Sequence, residues 1–253
     1  MNSLCRRTVP FLMLATVLGT GLAAAAAAPG EDAKTLFDRG YLRRAASACE
    51  DRLASNPHDA EAGALLSRIR SEQGDTEQAL KLANAAVAAE PNNADAQYAL
   101  SEIYGRKAQT ASMLSAAGLA GKMRKAADAA LALNPRHVEA LEILVDFHTL
   151  APGIMGGDKK QANEYIERIK QVDPAAGWLK QGENAIRAKD STSAEKCFRT
   201  AAALQPPSTR AQLQLASWLA QPWRDQAQSE KLALAVVQAE PWHTGGWQVL
   251  AAL

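Results

Sequence analysis

No stretch of this chain alternates apolar and polar residues as a half-buried strand does. The apolar positions fall instead in alanine-rich segments. Ala79, Ala83 and Ala86 are an example: spacings of four and three residues put all three on one helical face. Each such segment runs into a proline: Asn56-Pro57, Glu90-Pro91, Asn134-Pro135, Asp173-Pro174, Gln205-Pro206 and Glu240-Pro241. Proline lacks an N–H and clashes with the preceding turn, so each of these dipeptides marks a helix end. Successive prolines are 34, 44, 39, 32 and 35 residues apart, so a unit of about 34 residues recurs, with insertions in the third and fourth copies. A helical hairpin of this length cannot bury its own apolar face, so the units must stack.

The residues inside the units resemble the tetratricopeptide repeat, a helix-turn-helix motif of 34 residues. In Ala60–Pro91, Leu66 takes the apolar position of the first helix and Gly74-Asp75 makes the turn. Ala79, Ala83 and Ala86 take the small positions of the second helix, and Pro91 closes the unit. The first unit offers Gly40-Tyr41, Ala45, Cys49 and Pro57; the third offers Leu100 and Tyr104. The fifth has Trp178, Gly182, Ala194, Phe198, Ala201 and Pro206. The resemblance spans about residues 31–253 and is stronger in period and small residues than in aromatics. It implies an all-α fold, a right-handed superhelical solenoid of antiparallel helix pairs. About five to six repeats would fill residues 28–253, with the segment after Trp242 as a capping helix. It also implies a groove, lined by the first helices, that binds a protein or peptide partner.

Two insertions depart from the pattern. Ten extra residues lie between Tyr104 and Ala126, centred on 109–118, and predict a lengthened helix broken near Gly118–Gly121. The fourth unit gains a loop containing Pro152, Gly153, Ile154, Met155, Gly156 and Gly157, similar to insertions in other exported bacterial repeat proteins. The loop is not a phosphate cradle: the glycine that a P-loop needs five residues after Gly153 is Asp158, and no strand precedes it. Its glycines suit positive φ, with Ile154 and Met155 tucked against neighbouring helices. The alternative role for Gly153, Ile154, Met155, Gly156 and Gly157 is contact with a partner.

Residues 1–27 read as a secretory signal. Arg6 and Arg7 are its positive end, Val9–Leu18 its apolar core, and Ala23–Ala28 offer small-x-small cleavage sites. The core is shorter than the ~20 residues of a spanning helix, so no stable membrane span is expected after cleavage. The expected location is the periplasm of a Gram-negative bacterium. Beyond residue 28 there remain 26 basic and 27 acidic residues with no contiguous basic run, which speaks against nucleic acid and marks no site for anionic lipid. Cys49 and Cys197 fall four units apart, too far for a disulfide, and read as buried thiols.

His58, His137, His148 and His243 are scattered over different units, and no metal-ligand spacing appears. Each is expected at an exposed or half-buried helix position. Neither a nucleophile elbow nor any other catalytic motif is present, so neither an enzyme nor a cofactor is expected. Trp218, Trp223, Trp242 and Trp247 gather near one end and read as core and cap packing. In the resembling family the groove face is set by fixed offsets in each first helix. Carried onto this chain, those offsets select Glu61, Arg68, Glu72, Asp95, Tyr98, Glu102, Arg106, Glu139, Glu142, Asp146 and Glu183. Acids outnumber bases eight to two in this set, which implies an acidic groove for a basic or neutral segment. The carboxylate clamp of chaperone-binding relatives is absent: Lys34 matches it, but Leu65, Asp95 and Ala99 do not. The expected function is therefore a non-enzymatic interaction scaffold. The alternatives are a self-associating envelope component and a carrier of an apolar ligand.

Overall fold

The computed structural model describes residues 31–253; the expected signal segment, residues 1–27, lies outside the described residues. Thirteen α-helices and no strand occur among the described residues. They form six antiparallel pairs and one further helix. The pairs are α1 (Ala33–Asp38) with α2 (Leu42–Ser55), α3 (Ala60–Glu72) with α4 (Thr76–Ala89), and α5 (Ala94–Thr110) with α6 (Met113–Leu133). They continue with α7 (Val138–Leu150) and α8 (Lys159–Val172), α9 (Pro174–Arg187) and α10 (Ser191–Ala202), and α11 (Thr209–Leu219) and α12 (Gln226–Ala239). The last helix, α13 (Thr244–Ala252), packs on α11 and α12.

The proline punctuation works locally. Asn56, Glu90, Asn134, Asp173 and Glu240, each before a proline, have φ between −131° and −140° and ψ between 76° and 97°. Such extended backbone is what a following proline ring imposes. A side-chain cap then starts the next helix: Asp59, Asn93, His137 and Ser208 accept the amide N–H three residues on. Asp173 ends α8 and caps α9 with no loop between them, which accounts for the short spacing to Pro206.

Packing follows the small residues. Ala79, Ala83, Ala127, Ala130, Ala194 and Ala201 are fully buried. A Cβ at Gly182 would lie 2.4 Å from Cε1 of Phe198, so only glycine lets α9 and α10 approach this closely. The core is a string of small clusters, each shared by neighbouring pairs. Each first helix touches the first helix of the next pair, and no comparable contact joins successive second helices. The stack therefore curves with its first helices inside, as a right-handed superhelix. The curvature carries Arg39, just after α1, over the ring of Trp242, just before α13, with Cζ 4.7 Å from the ring centroid.

Several expectations need correction. α6 runs unbroken through Gly118 and Gly121, and the insertion in the third unit lengthens both α5 and α6 into a projecting hairpin. Only Trp218 of the tryptophan group is core; Trp223 and Trp247 are exposed and Trp242 is half-buried. His137 and His148 are buried, not half-exposed, because His137 caps α7 and His148 stacks on Tyr165. Cys49 and Cys197 are both buried free thiols. Burial pushes the Cys49 thiol up to about 11, so it is a poor nucleophile.

Candidate binding groove

The selected groove residues all lie on first helices, and the structure joins most of them into ion pairs between repeats. On α3, Arg68 lies between the rings of Phe37 and Tyr98, with Cζ 4.9 and 5.1 Å from their centroids. Its Nε donates to Glu102 on α5 at 2.8 Å, and Arg106 meets the other oxygen of Glu102 at 3.3 Å. Glu61 stands apart and pairs with Arg52 of α2 at 2.8 Å. Glu72, near the end of α3, is exposed.

Asp95 and Glu139 meet through His137, whose Nε2 lies 3.1 Å from Asp95 and whose Nδ1 lies 3.2 Å from Glu139. Burial opposes a charge on this ring, but its hydrogen bonds to the two carboxylates prevail and raise His137 to about 9. The same hydrogen bond, against the effect of burial, lowers Glu139 to about 2. In the neutral ring Nδ1 accepts the Ala140 N–H, so titration of His137 exchanges a helix cap for an ion pair.

The third cluster spans three repeats. Lys180 on α9, 5% exposed, donates to Asp146 at 2.9 Å and to Glu183 at 3.0 Å. Burial works against its charge, and the two carboxylates more than restore it. Arg187 reaches Asp146 at 3.2 Å. Arg210 on α11 reaches past α9 to Glu142 on α7 at 2.9 Å, which only the concave side of a curved stack permits. Burial nevertheless leaves the Glu142 carboxyl raised above its ordinary value. Gln181 Oε1 is buried there without a hydrogen-bond donor among the described residues.

The wall is thus less one-sided than the selected set. Arg52, His137, Lys180, Arg187 and Arg210, together with Gln181, were not in that set. Two of the pairs were legible: Arg68–Glu102 and Asp146–Lys180 are each separated by 34 residues, one repeat. His137 occupies the cap position that Asp59 and Asn93 hold in earlier units. Arg210 carried no signal, because its reach depends on curvature.

The inserted loop lies away from this wall. Gly153–Met155 form a short 3-10 turn, and Gly156 adopts φ 92°. Gly157 is needed for space instead: a Cβ there would lie 1.8 Å from the Ala151 carbonyl oxygen. Ile154 is 98% exposed and Met155 38%, so neither is tucked into the core, because the turn directs them outward from α7. The Asp158 N–H donates to the His148 carbonyl and pins the far side of the loop. No three His, Cys, Asp or Glu side chains gather as a metal set among the described residues, and no described helix is long and apolar enough to cross a membrane.

A family model described as "Tetratricopeptide repeat" matches residues 36–104, the first two to three units of this wall. Residues 36–104 of the chain are therefore tetratricopeptide repeats. Solved structures extend the fold over most of its length. TTC0263 of Thermus thermophilus, a thermophilic repeat protein of this kind, is 20% identical and covers 74% of this chain and 95% of its own, with a TM-score of 0.64. The pilF protein of Pseudomonas aeruginosa is 16% identical, covering 87% and 94%, with a TM-score of 0.51. PilW, a type IV pilus biogenesis factor, is 15% identical, covering 86% and 94%, with a TM-score of 0.52. At these identities the likeness is one of fold. Among curated proteins, no sequence matches the chain.

Proposed function

We propose that this tetratricopeptide-repeat protein is an exported, non-enzymatic scaffold whose inner wall binds a basic or neutral peptide segment of a protein partner. The observation that carries the reading is the set of buried acceptors on α7 and α9. Glu142 Oε1 and Asp146 Oδ1 are held by Arg210 and Arg187 at 2.9 and 3.2 Å, and Gln181 Oε1 has no donor among the described residues. A buried acceptor without a donor is costly, and an incoming N–H would relieve Gln181 while an ammonium group would compete with the two arginines for the carboxylates. Asp95 and Glu139, with side chains 75% and 53% exposed, extend the acidic character toward α5. The charged lining disfavours an apolar guest. Residues 1–27 support export, and with it a periplasmic location.

The test is capture from periplasmic extract, followed by titration of the captured partner at low and high salt. Glu142→Gln with Asp146→Asn should weaken binding about tenfold or more, since each lost charge-assisted hydrogen bond is worth about 1.5–3 kcal/mol. Binding that neither salt nor these changes affect would remove the inner wall from the mechanism. A second reading, self-association through the end of the stack, rests on Trp247 and Leu253 of the last segment, 53% and 42% exposed. A sedimentation velocity series over concentration separates the two.

A further inference from the structure

The exposed apolar residues of this protein are not spread evenly. Leu114, Leu150, Ile154 and Trp223, at 88%, 65%, 98% and 77% exposure, all lie at turns from a first to a second helix, along one edge of the stack. Two of these turns adjoin. A Cβ on Gly156 would meet Arg124 of α6 at 2.9 Å and Phe147 of α7 at 3.7 Å, so the inserted loop rests against the projecting α5–α6 hairpin.

Positive charge gathers on the hairpin that the loop rests against. Between Glu102 and Asp128 there is no acid, while Arg106, Lys107, Lys122, Arg124 and Lys125 are all present. Arg106, Lys107 and Arg124 have carboxylate partners in Glu102, Glu77 and Asp128. Lys122 faces the ring of Tyr104, and Lys125 and Lys159 are exposed. In the loop, Asp158 is occupied in capping α8, accepting the N–H groups of Lys160 and Gln161. No contiguous basic run exists in the sequence; folding sets the inserted loop, which leads into Lys159 and Lys160, against Arg124 of α6.

We propose that this edge is a peripheral membrane-binding surface that seats on a bilayer containing anionic phospholipid. Leu114 and Ile154 enter the headgroup boundary, and Lys122, Lys125 and Lys159 meet the headgroups. Two features favour a bilayer over a protein. The apolar residues stand at separate convex tips, where a protein partner would need a separate pocket for each tip and a bilayer needs none. The cations are lysines, which are depleted at protein interfaces and attracted by an anionic surface.

The test uses vesicles of phosphatidylcholine with and without phosphatidylglycerol. An environment-sensitive fluorophore on Ile154→Cys reports contact directly: Cys49 and Cys197 are buried, and with Cys5→Ser in the full chain the new thiol labels selectively. The full chain and the chain from residue 28 are measured side by side, which separates any contribution of the apolar leader. Expected is a blue shift with phosphatidylglycerol, suppressed by salt. Lys122→Gln with Lys125→Gln should weaken binding about 25-fold, at roughly fivefold per lysine. Leu114→Ser should weaken it about tenfold while circular dichroism stays unchanged. No shift on anionic vesicles would overturn the proposal. So would a shift matched by soluble polyglutamate and insensitive to Leu114→Ser, which would assign the edge to an acidic protein.

Discussion

The two edges of the stack are built from the same hairpins yet behave differently. Along one edge, second helices pass to first helices through a near-uniform device: an extended residue, a proline and a side-chain cap, as in Asn56-Pro57-His58-Asp59 and Asn134-Pro135-Arg136-His137. Leu133, at 40%, and Trp247, which donates to the Pro241 carbonyl, are large apolar residues that it exposes. Along the other edge, Gly74 turns one pair at φ 87°, Lys189 turns another at φ 61°, and two pairs carry insertions. The first edge sets the period and offset on which the whole superhelix depends, so changes there propagate through the stack. The second edge closes each hairpin locally, so it can lengthen, gain charge and expose Ile154 without moving any neighbouring pair.

Three substitutions probe this contrast. The largest effect is expected at the one point where the variable edge is rigid. Gly157→Ala places a Cβ against the Ala151 carbonyl and should destabilise by about 2–3 kcal/mol. Chemical denaturation measures it, and an unchanged midpoint would mean that the loop is free to rearrange.

His137→Ala comes next, on the proline edge. It removes a cap and a bridge between α5 and α7 and should cost about 2 kcal/mol. Its pH dependence is specific. A histidine raised from 6.5 to about 9 stabilises fully below about 6.5, and that contribution is lost as pH rises through 9. Glu139, lowered from 4.5 to about 2, stabilises above about 4.5 and loses its effect as pH falls toward 2. Its side chain is half-exposed, so screening limits its share. The gap between wild type and variant should thus be widest between about pH 4.5 and 6.5; a gap independent of pH would leave only the cap.

Ile154→Ser should be the smallest, within about 0.5 kcal/mol, because the side chain already faces solvent. A loss above about 1 kcal/mol would show that the loop packs down in solution and that the edge is not a free surface.

Much of the groove was legible in the residues. Arg68, Glu102, Asp146 and Glu183 follow from the repeat offset, and Lys180 stands one period after Asp146. The apparent acidity was not a reliable guide, because each carboxylate was weighed without the base that reaches it from another helix. Arg52 comes from a second helix, His137 from a cap, and Arg210 from two repeats away. The loop shows the same division. Its glycines signalled an unusual turn, but one of them supplies a positive φ and the other an absence of volume, and sequence cannot distinguish these.

What the sequence by itself determined is the local part: helices bounded by prolines, caps three residues before a satisfied amide, and small residues where two helices close. These depend on neighbours within one repeat, so a periodic pattern encodes them completely. Only the tertiary structure decided which charges meet, which histidines are buried, and where the apolar surface gathers. Those outcomes depend on the small rotation between successive pairs. That rotation brings Arg210 to Glu142 across two repeats and, over six hairpins, Arg39 to Trp242, and no single repeat contains it.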